Sequence, residues 1–133
     1  MKLRLRIASV CVVVLCVSCS GRTAEQSVDE ACDLAGTGMV QIAGLMEAGH
    51  VLLASGDADA ADYGRELGIQ AEATGDQLTN DSVGDAYSPV KEALDRVANT
   101  LTEAGSSQAL ADQAAAADVA AGALLELCDE STT

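Results

Sequence analysis

The sequence predicts an all-α fold, specifically an antiparallel up-down four-helix bundle with one disulfide joining the start of helix 1 to the end of helix 4. Apolar residues recur at alternating steps of three and four in four segments, which is the period of an amphipathic helix. Short stretches rich in Gly, Asp and Ser separate these segments. Cys32 and Cys128 lie on the apolar sides of the first and last segments, whose outer ends are neighbours in such a bundle.

The first helix is predicted to begin after Ser27, because Ser27 and Glu30 have the spacing of a capping box. Its end is expected near Gly56. Each internal glycine lowers helix propensity by about 1 kcal/mol, so the helix depends on tertiary contacts, and Gly49 offers a point at which it can bend. The apolar side consists of Cys32, Ala35, Met39, Ile42 and Met46.

A second helix is predicted to begin among residues 57–59 and to end at Gly75. Residues 75–82 are rich in Gly, Asp, Asn and Ser, a composition typical of turns, so we expect a loop there. The apolar side of this helix consists of Tyr63, Leu67, Ala71 and Thr74.

The third helix has the most regular apolar pattern, but Pro89 allows two starting points. Either the helix begins near Ser82 and is kinked by the proline, or Ser88 caps it and Pro89 is its first residue, where a missing amide hydrogen costs nothing. The second alternative is preferred, and Gly105 is expected to end the helix. The apolar side consists of Val83, Tyr87, Val90, Leu94, Val97, Leu101 and Ala104.

The fourth helix is expected to be capped by Ser106 or Ser107. A bridge between Cys32 and Cys128 would close a loop of nearly the whole domain, and the chain-entropy model assigns such a loop about 4 to 5 kcal/mol. Two free buried thiols are the alternative to this bridge. The apolar side of the helix consists of Leu110, Ala114, Ala117, Ala121, Leu124 and Cys128.

The chain is strongly acidic, with 21 Asp and Glu against seven Lys and Arg among 133 residues and a net charge of -14. This charge argues against a nucleic-acid partner, whose phosphates would be repelled, and against electrostatic adhesion to anionic lipids. An acidic surface that keeps the protein soluble is the preferred interpretation. A cationic partner or a bound metal ion is the alternative.

The first 19 residues have the organisation of an export signal. Three basic residues within the first six positions precede an apolar stretch, Ile7 to Val17, which is too short for a permanent membrane-spanning helix. Ser18 supplies the small residue that a signal peptidase requires before the cleavage site at Cys19.

Residues 16–19 resemble the lipobox of bacterial lipoproteins, in which aliphatic and small residues precede a lipid-modified Cys. Val17, Ser18 and Cys19 match this pattern, whereas Cys16 occupies the position at which Leu is usual. The resemblance implies cleavage between Ser18 and Cys19 and lipidation of Cys19. It extends in composition to small acidic lipoproteins of high-GC Gram-positive bacteria and their phages. It therefore implies a lipid anchor in the cell membrane, with the domain on the extracytoplasmic face.

These interpretations divide the chain into four parts. Residues 1–18 are the signal peptide, 19–26 the lipidated Cys and a polar tether, 27–129 the helical domain, and 130–133 a frayed tail. The mature chain would keep four basic and all 21 acidic residues, a net charge of -17.

Few residues are suited to catalysis. His50 is the only histidine, so a paired-histidine relay and a histidine-based di-metal site are excluded, and a surface role is preferred. Residues 57–62 contain three Asp but lack the Gly and Glu of a calcium loop, so a helix-capping role is preferred. We therefore predict no catalytic residue, no metal and no cofactor.

Met39 and Met46 either pack in the core or line a groove for a lipid tail or another helix. The first functional hypothesis is a non-catalytic module that binds an envelope protein. The second is a carrier or sensor of a small apolar ligand held in the bundle core. The resemblance also allows a phage-type superinfection-exclusion lipoprotein, and an enzyme is disfavoured.

Overall fold

The computed structural model describes residues 25–131. The predicted signal peptide, the cleavage site between Ser18 and Cys19, most of the tether and residues 132–133 lie outside the described residues. Cleavage and lipidation therefore stay predictions.

Four helices make up the described part of the chain. They are α1 (Val28–Ser55), α2 (Ala60–Gln77), α3 (Asp81–Thr102) and α4 (Ser107–Ser131). Each helix packs mainly against the next one along the chain, and α1 also contacts α3 and α4 over smaller interfaces. This architecture confirms the predicted all-α four-helix bundle.

Consecutive helices run in opposite directions. Gly38 of α1 lies against Thr74 near the end of α2, whereas Gly49, later in α1, lies close to Tyr63 near the start of α2. The same reversal relates α2 to α3, and short loops at residues 56–59, 78–80 and 103–106 make the connections. The bundle is therefore up-down-up-down.

A disulfide joins Cys32 to Cys128, as predicted, across 96 positions of the sequence. The two Cα atoms are 5.7 Å apart, so the start of α1 is fixed beside the end of α4. The alternative of two free thiols is thereby excluded.

Both ends of α1 have the predicted capping interactions. The Ser27 hydroxyl accepts a hydrogen bond from the Glu30 amide at 3.2 Å, and the Glu30 carboxylate accepts one from the Ser27 amide at 2.9 Å. Gly56 ends the helix with φ 72°, a left-handed conformation that favours glycine. The helix is continuous past Gly49, the position proposed for a bend.

The most buried side of α1 is displaced by one position from the predicted side. Cys32, Met39 and Met46 are only half-buried. Position 49 can face the core because it is a glycine: a Cβ there would lie only 2.8 Å from the Leu101 side chain. The fully buried residues of α1 are Ala31, Ala35, Gly38, Ile42 and Gly49.

The boundary between α2 and α3 differs from the prediction. α2 continues to Gln77 rather than stopping at Gly75, and the loop is limited to residues 78–80 instead of 75–82. Of the polar residues expected to form a turn, Thr79 and Asn80 lie in this short loop, and the others lie in the helical turns on either side of it.

The preferred start of α3 at Ser88 is wrong, because the helix already begins at Asp81. The Asn80 side chain accepts a hydrogen bond from the Val83 amide at 3.1 Å and so caps the helix. Val83 is fully buried, which stabilises the first turn by tertiary packing. Pro89 lies inside the helix on its exposed side, where water can satisfy the carbonyl that it leaves without an amide partner.

The end of α3 also corrects the predicted apolar pattern. Ala104 lies in the turn after the helix, is exposed and has φ 50°, rather than packing with the other apolar residues. Gly105 donates its amide hydrogen to the Thr100 carbonyl at 2.8 Å. A Cβ on Gly105 would lie 2.8 Å from the Thr100 methyl group, so the close return of the chain requires glycine at this position. The Ser106 hydroxyl then accepts from the Ala109 amide and caps α4.

The interface between α2 and α3 contains the largest fully buried side chain, Tyr87. Its hydroxyl donates to the Ala71 carbonyl at 2.9 Å, which satisfies the one polar group of the ring. Burial raises the pKa of the Tyr87 hydroxyl, since the charged form would lose its hydration.

Removing the disulfide should destabilise the domain substantially. Replacing both Cys32 and Cys128 by Ala is expected to lower the free energy of unfolding by about 4 kcal/mol, because the unfolded chain regains the freedom of a long loop. Urea unfolding followed by circular dichroism measures this change. A loss below about 1 kcal/mol would contradict the proposed importance of the bond.

The helical glycines should respond to Ala in opposite directions. Gly64→Ala is expected to destabilise the domain by about 1 to 3 kcal/mol, because the new Cβ would lie 2.7 Å from the Ala98 carbonyl oxygen. Gly44→Ala should stabilise it by about 0.5 to 1 kcal/mol, since no atom lies within 4 Å of the new Cβ. Thermal unfolding of both variants checks this, and equal signs would contradict the packing described.

Candidate functional site

The candidate functional site is the groove between α1 and α4. These helices are not joined by a loop, and their interface is smaller than those between consecutive helices. Helical spacing places one row of residues from each helix along this groove, and both rows end at the disulfide between Cys32 and Cys128. We call this feature the α1–α4 groove.

The α1 row advances by alternating steps of four and three, so it follows one face of the helix. Half-buried and exposed residues alternate along it, with Cys32, Met39 and Met46 partly buried. The exposed residues of the row are Gly36 and Ala43, which are small, and His50 at its end. The complete row is Cys32, Gly36, Met39, Ala43, Met46 and His50.

The α4 row has the same construction. Ala114, Ala121 and Cys128 are half-buried, whereas the residues between them are exposed. Leu125 is 61% exposed although it is large and apolar, and helical spacing places it in the same row as Ala121 and Cys128. The complete row is Ala111, Ala114, Asp118, Ala121, Leu125 and Cys128.

A cavity of about 260 Å³ opens into this groove at the end opposite the disulfide. Val97 of α3 and Leu110 of α4 contribute to it and are buried in the core. Met46 and Ala114 contribute side chains from the two rows, and Glu47 lies at its exposed edge. The lining is mainly apolar, so the cavity is suited to one aliphatic side chain or a similar group.

Charge is distributed unequally between the two sides of the bundle. α1 contains four carboxylates and α4 contains five, and neither helix contains Lys or Arg. The basic residues of the described chain, Arg65, Lys91 and Arg96, lie on α2 and α3. Within residues 25–131, α1 and α4 therefore contribute carboxylates but no Lys or Arg to the surface.

The opposite side of the bundle has a depression of about 780 Å³ between α2 and α3, and three of its four charged lining residues, Arg65, Glu72 and Asp95, form ion pairs. Lys91 contacts Glu72 at 2.7 Å and Asp95 at 3.1 Å. The hydrogen bonds that the Lys91 ammonium group donates to Glu72 and Asp95 raise its pKa. Arg65 is paired with Asp62.

The structure places the residues considered for metal binding at separate surface positions. His50 is exposed at the edge of the cavity. Asp57 accepts a hydrogen bond from the Asp59 amide at 3.0 Å, and Asp62 pairs with Arg65, so these carboxylates have local partners. Within residues 25–131, no group of three or more His, Cys, Asp or Glu side chains is arranged to hold a metal ion.

Met39 and Met46 both pack against the buried core and are half-buried, as the core-packing alternative expects. Met46 also lines the cavity between α1 and α4. Their unbranched, polarizable side chains suit a surface that must adapt to a binding partner.

Several groove residues are missing from the sequence-based prediction. Gly36, Ala43 and Ala111 are small and exposed, and Asp118 is charged, so a search for buried apolar residues passes over them. Leu125 could have been found as a large apolar residue that lies outside the predicted apolar side of α4.

Comparisons with known proteins do not assign this site. No protein family model matches the chain, and no curated protein or solved structure matches it either.

None of the helices in residues 25–131 has the length and apolar character needed to span a membrane.

Proposed function

We propose that this chain is a lipid-anchored lipoprotein on the extracytoplasmic face of the cell membrane, and that its helical domain is a non-catalytic module that binds an envelope protein. The observation that carries the binding proposal is the α1–α4 groove, an apolar recess with exposed aliphatic side chains on a helical surface.

The proposed location is supported by the sequence and by the disulfide. Residues 16–19 resemble a lipobox, and the preceding apolar stretch resembles a bacterial export signal. The disulfide between Cys32 and Cys128 fits an oxidising compartment outside the cytoplasm. Two or more acyl chains on Cys19 would hold the protein at the membrane durably, whereas its acidic surface would not.

The size of the groove cavity favours a protein partner over a small-molecule cargo. Pockets that enclose small organic ligands usually measure about 300 to 1,000 Å³, whereas this cavity measures about 260 Å³ and is partly open. Leu67, Val90 and Leu94 in the middle of the bundle are completely or almost completely buried. A cavity of this size can accept one anchoring side chain of a partner, a common feature of protein interfaces.

The superinfection-exclusion hypothesis is a special case of the same proposal. It would require the bound envelope protein to be one that incoming phage uses, and the identity of the partner would decide it.

The lipid anchor is tested by changing the residue that would carry it. Cys19→Ser should move the protein from the membrane fraction to a soluble or unprocessed form, because the serine hydroxyl cannot form the thioether that anchors lipid. Fractionation and intact-mass analysis measure this, with Cys11→Ser, outside residues 16–19, as the matched control that should keep the anchor. Membrane attachment that is unchanged in Cys19→Ser would contradict the proposal.

The binding role is tested by site-specific photo-crosslinking on intact cells. A photoreactive residue at Ala43, on the exposed edge of the groove, should capture the same protein repeatedly. The matched control is Ala116, which is exposed on α4 and belongs to neither groove row.

Equal capture at both positions would contradict binding through the groove. Capture of lipid or of a small molecule at Ala43, with no protein, would favour the carrier hypothesis instead.

A further inference from the structure

We infer that the α1–α4 groove binds a cationic amphipathic helix, with the apolar side of that helix in the groove and its Lys and Arg residues against the acidic edges. This inference rests on the proposed function, because it specifies the partner of the proposed interaction module. It is drawn from the shape of the groove, its apolar rows and the separation of charge within the domain.

The apolar part of the groove has the geometry that a helix requires. Its two rows follow helical faces at steps of three and four, so a third helix placed between them can match their spacing. Gly36, Ala43 and Ala111 are small and exposed, and no atom lies within 4 Å of the position that a Cβ on Gly36 would occupy. A partner backbone can therefore come close to α1 along this row.

The length of the groove indicates the length of the partner. The α1 row extends from Cys32 to His50, which corresponds to about 27 Å of helix at a rise of about 1.5 Å per residue. A partner segment of about 18 residues, or five turns, would occupy it from the disulfide to the cavity. The cavity of about 260 Å³ would receive one of its aliphatic side chains.

The negative charge at the edges of the groove favours a partner with positive charge. Glu47 lies beside the cavity on α1, and Asp118 belongs to the α4 row. Neither α1 nor α4 contains Lys or Arg, so within residues 25–131 these two helices supply no Lys or Arg beside Glu47 or Asp118. In contrast, the acidic residues Asp62, Glu72 and Asp95 of α2 and α3 form ion pairs within the domain. Basic side chains of a partner would complement the α1–α4 face.

Other occupants fit this surface less well. A second copy of the domain would bring Glu47 and Asp118 against an identical pair of carboxylates. An anionic lipid surface would be repelled for the same reason. A neutral apolar ligand could enter the cavity but would make no favourable charge interaction with the carboxylates at the groove edges.

The inference is tested with a synthetic 18-residue peptide that has Leu and Ala on one helical side and Lys on the other, labelled with fluorescein. Its binding to the full chain in nonionic detergent is measured by fluorescence anisotropy at 0.15 M NaCl, after subtraction of peptide bound to micelles. The peptide should bind about tenfold more tightly than a scrambled peptide of equal composition or one with Glu in place of Lys.

Matched variants decide whether binding occurs in the groove. Glu47→Lys and Asp118→Lys should each weaken peptide binding about threefold to tenfold, because an attractive charge becomes repulsive. Asp112→Lys makes the same charge change on α4 outside the groove row, and it should weaken binding by less than about twofold because salt screens distant charges.

A second pair of variants tests the apolar recess. Ala43→Trp should weaken peptide binding by more than about tenfold by filling the cavity, whereas Ala116→Trp on the outer side of α4 should not. Circular dichroism verifies that each variant is folded, and the charge variants test the same site without adding bulk.

Equal effects of Asp118→Lys and Asp112→Lys, equal binding of the scrambled peptide, or failure of the Lys peptide to bind would overturn the inference. Its failure can be distinguished from failure of the proposed function. Capture of a protein at Ala43 through a segment that is not basic would preserve the interaction module and refute the cationic helix.

Discussion

The disulfide between Cys32 and Cys128 is the constraint on which the arrangement of the domain depends. Loops of three or four residues hold each helix beside the next, but no loop connects α1 to α4. The interface between these two helices is also smaller than those between consecutive helices. The bond fixes the start of α1 beside the end of α4, with the Cα atoms 5.7 Å apart, and so closes one end of the groove. The groove is therefore a consequence of two helices that are held together covalently and packed only partly.

The α2–α3 side of the bundle and the α1–α4 side differ in the residues that they contain. α2 and α3 contribute most of the large buried side chains, including Tyr87, and they carry the Lys and Arg residues that pair with their carboxylates. α1 and α4 contain many Gly and Ala residues, so they leave a shallow apolar surface, and neither helix contains Lys or Arg. Solubility alone could be achieved with acidic residues on any helix. The two carboxylates beside the apolar groove, Glu47 and Asp118, relate this composition to the proposed recognition of a basic helix.

Most of the fold could be predicted from the sequence because helical periodicity and capping are local signals. The capping box at Ser27 and the apolar spacing of α3 identify helices without knowledge of their neighbours. The predicted start of α3 at Ser88 is wrong because it relied on the local preference of Pro89 for the first helical position. The exposed position of Pro89 and the burial of Val83, which allow an earlier start, depend on tertiary packing. The close approaches at glycines were missed for the same reason, since a glycine carries no hydrophobic signal. The disulfide could be predicted from topology, but the groove could not, because its two rows are distant in sequence and include exposed Ala and Asp residues.

Hydrogen exchange measured on the oxidised and reduced protein tests the role of the disulfide most directly. If the bond holds α1 against α4, its reduction should release protection most strongly near Cys32 and Cys128, at the start of α1 and the end of α4. Amides of α2 and α3 should lose less protection, because short loops and extensive packing hold these helices together. Equal loss of protection in all four helices, or no change near the two cysteines, would contradict the account.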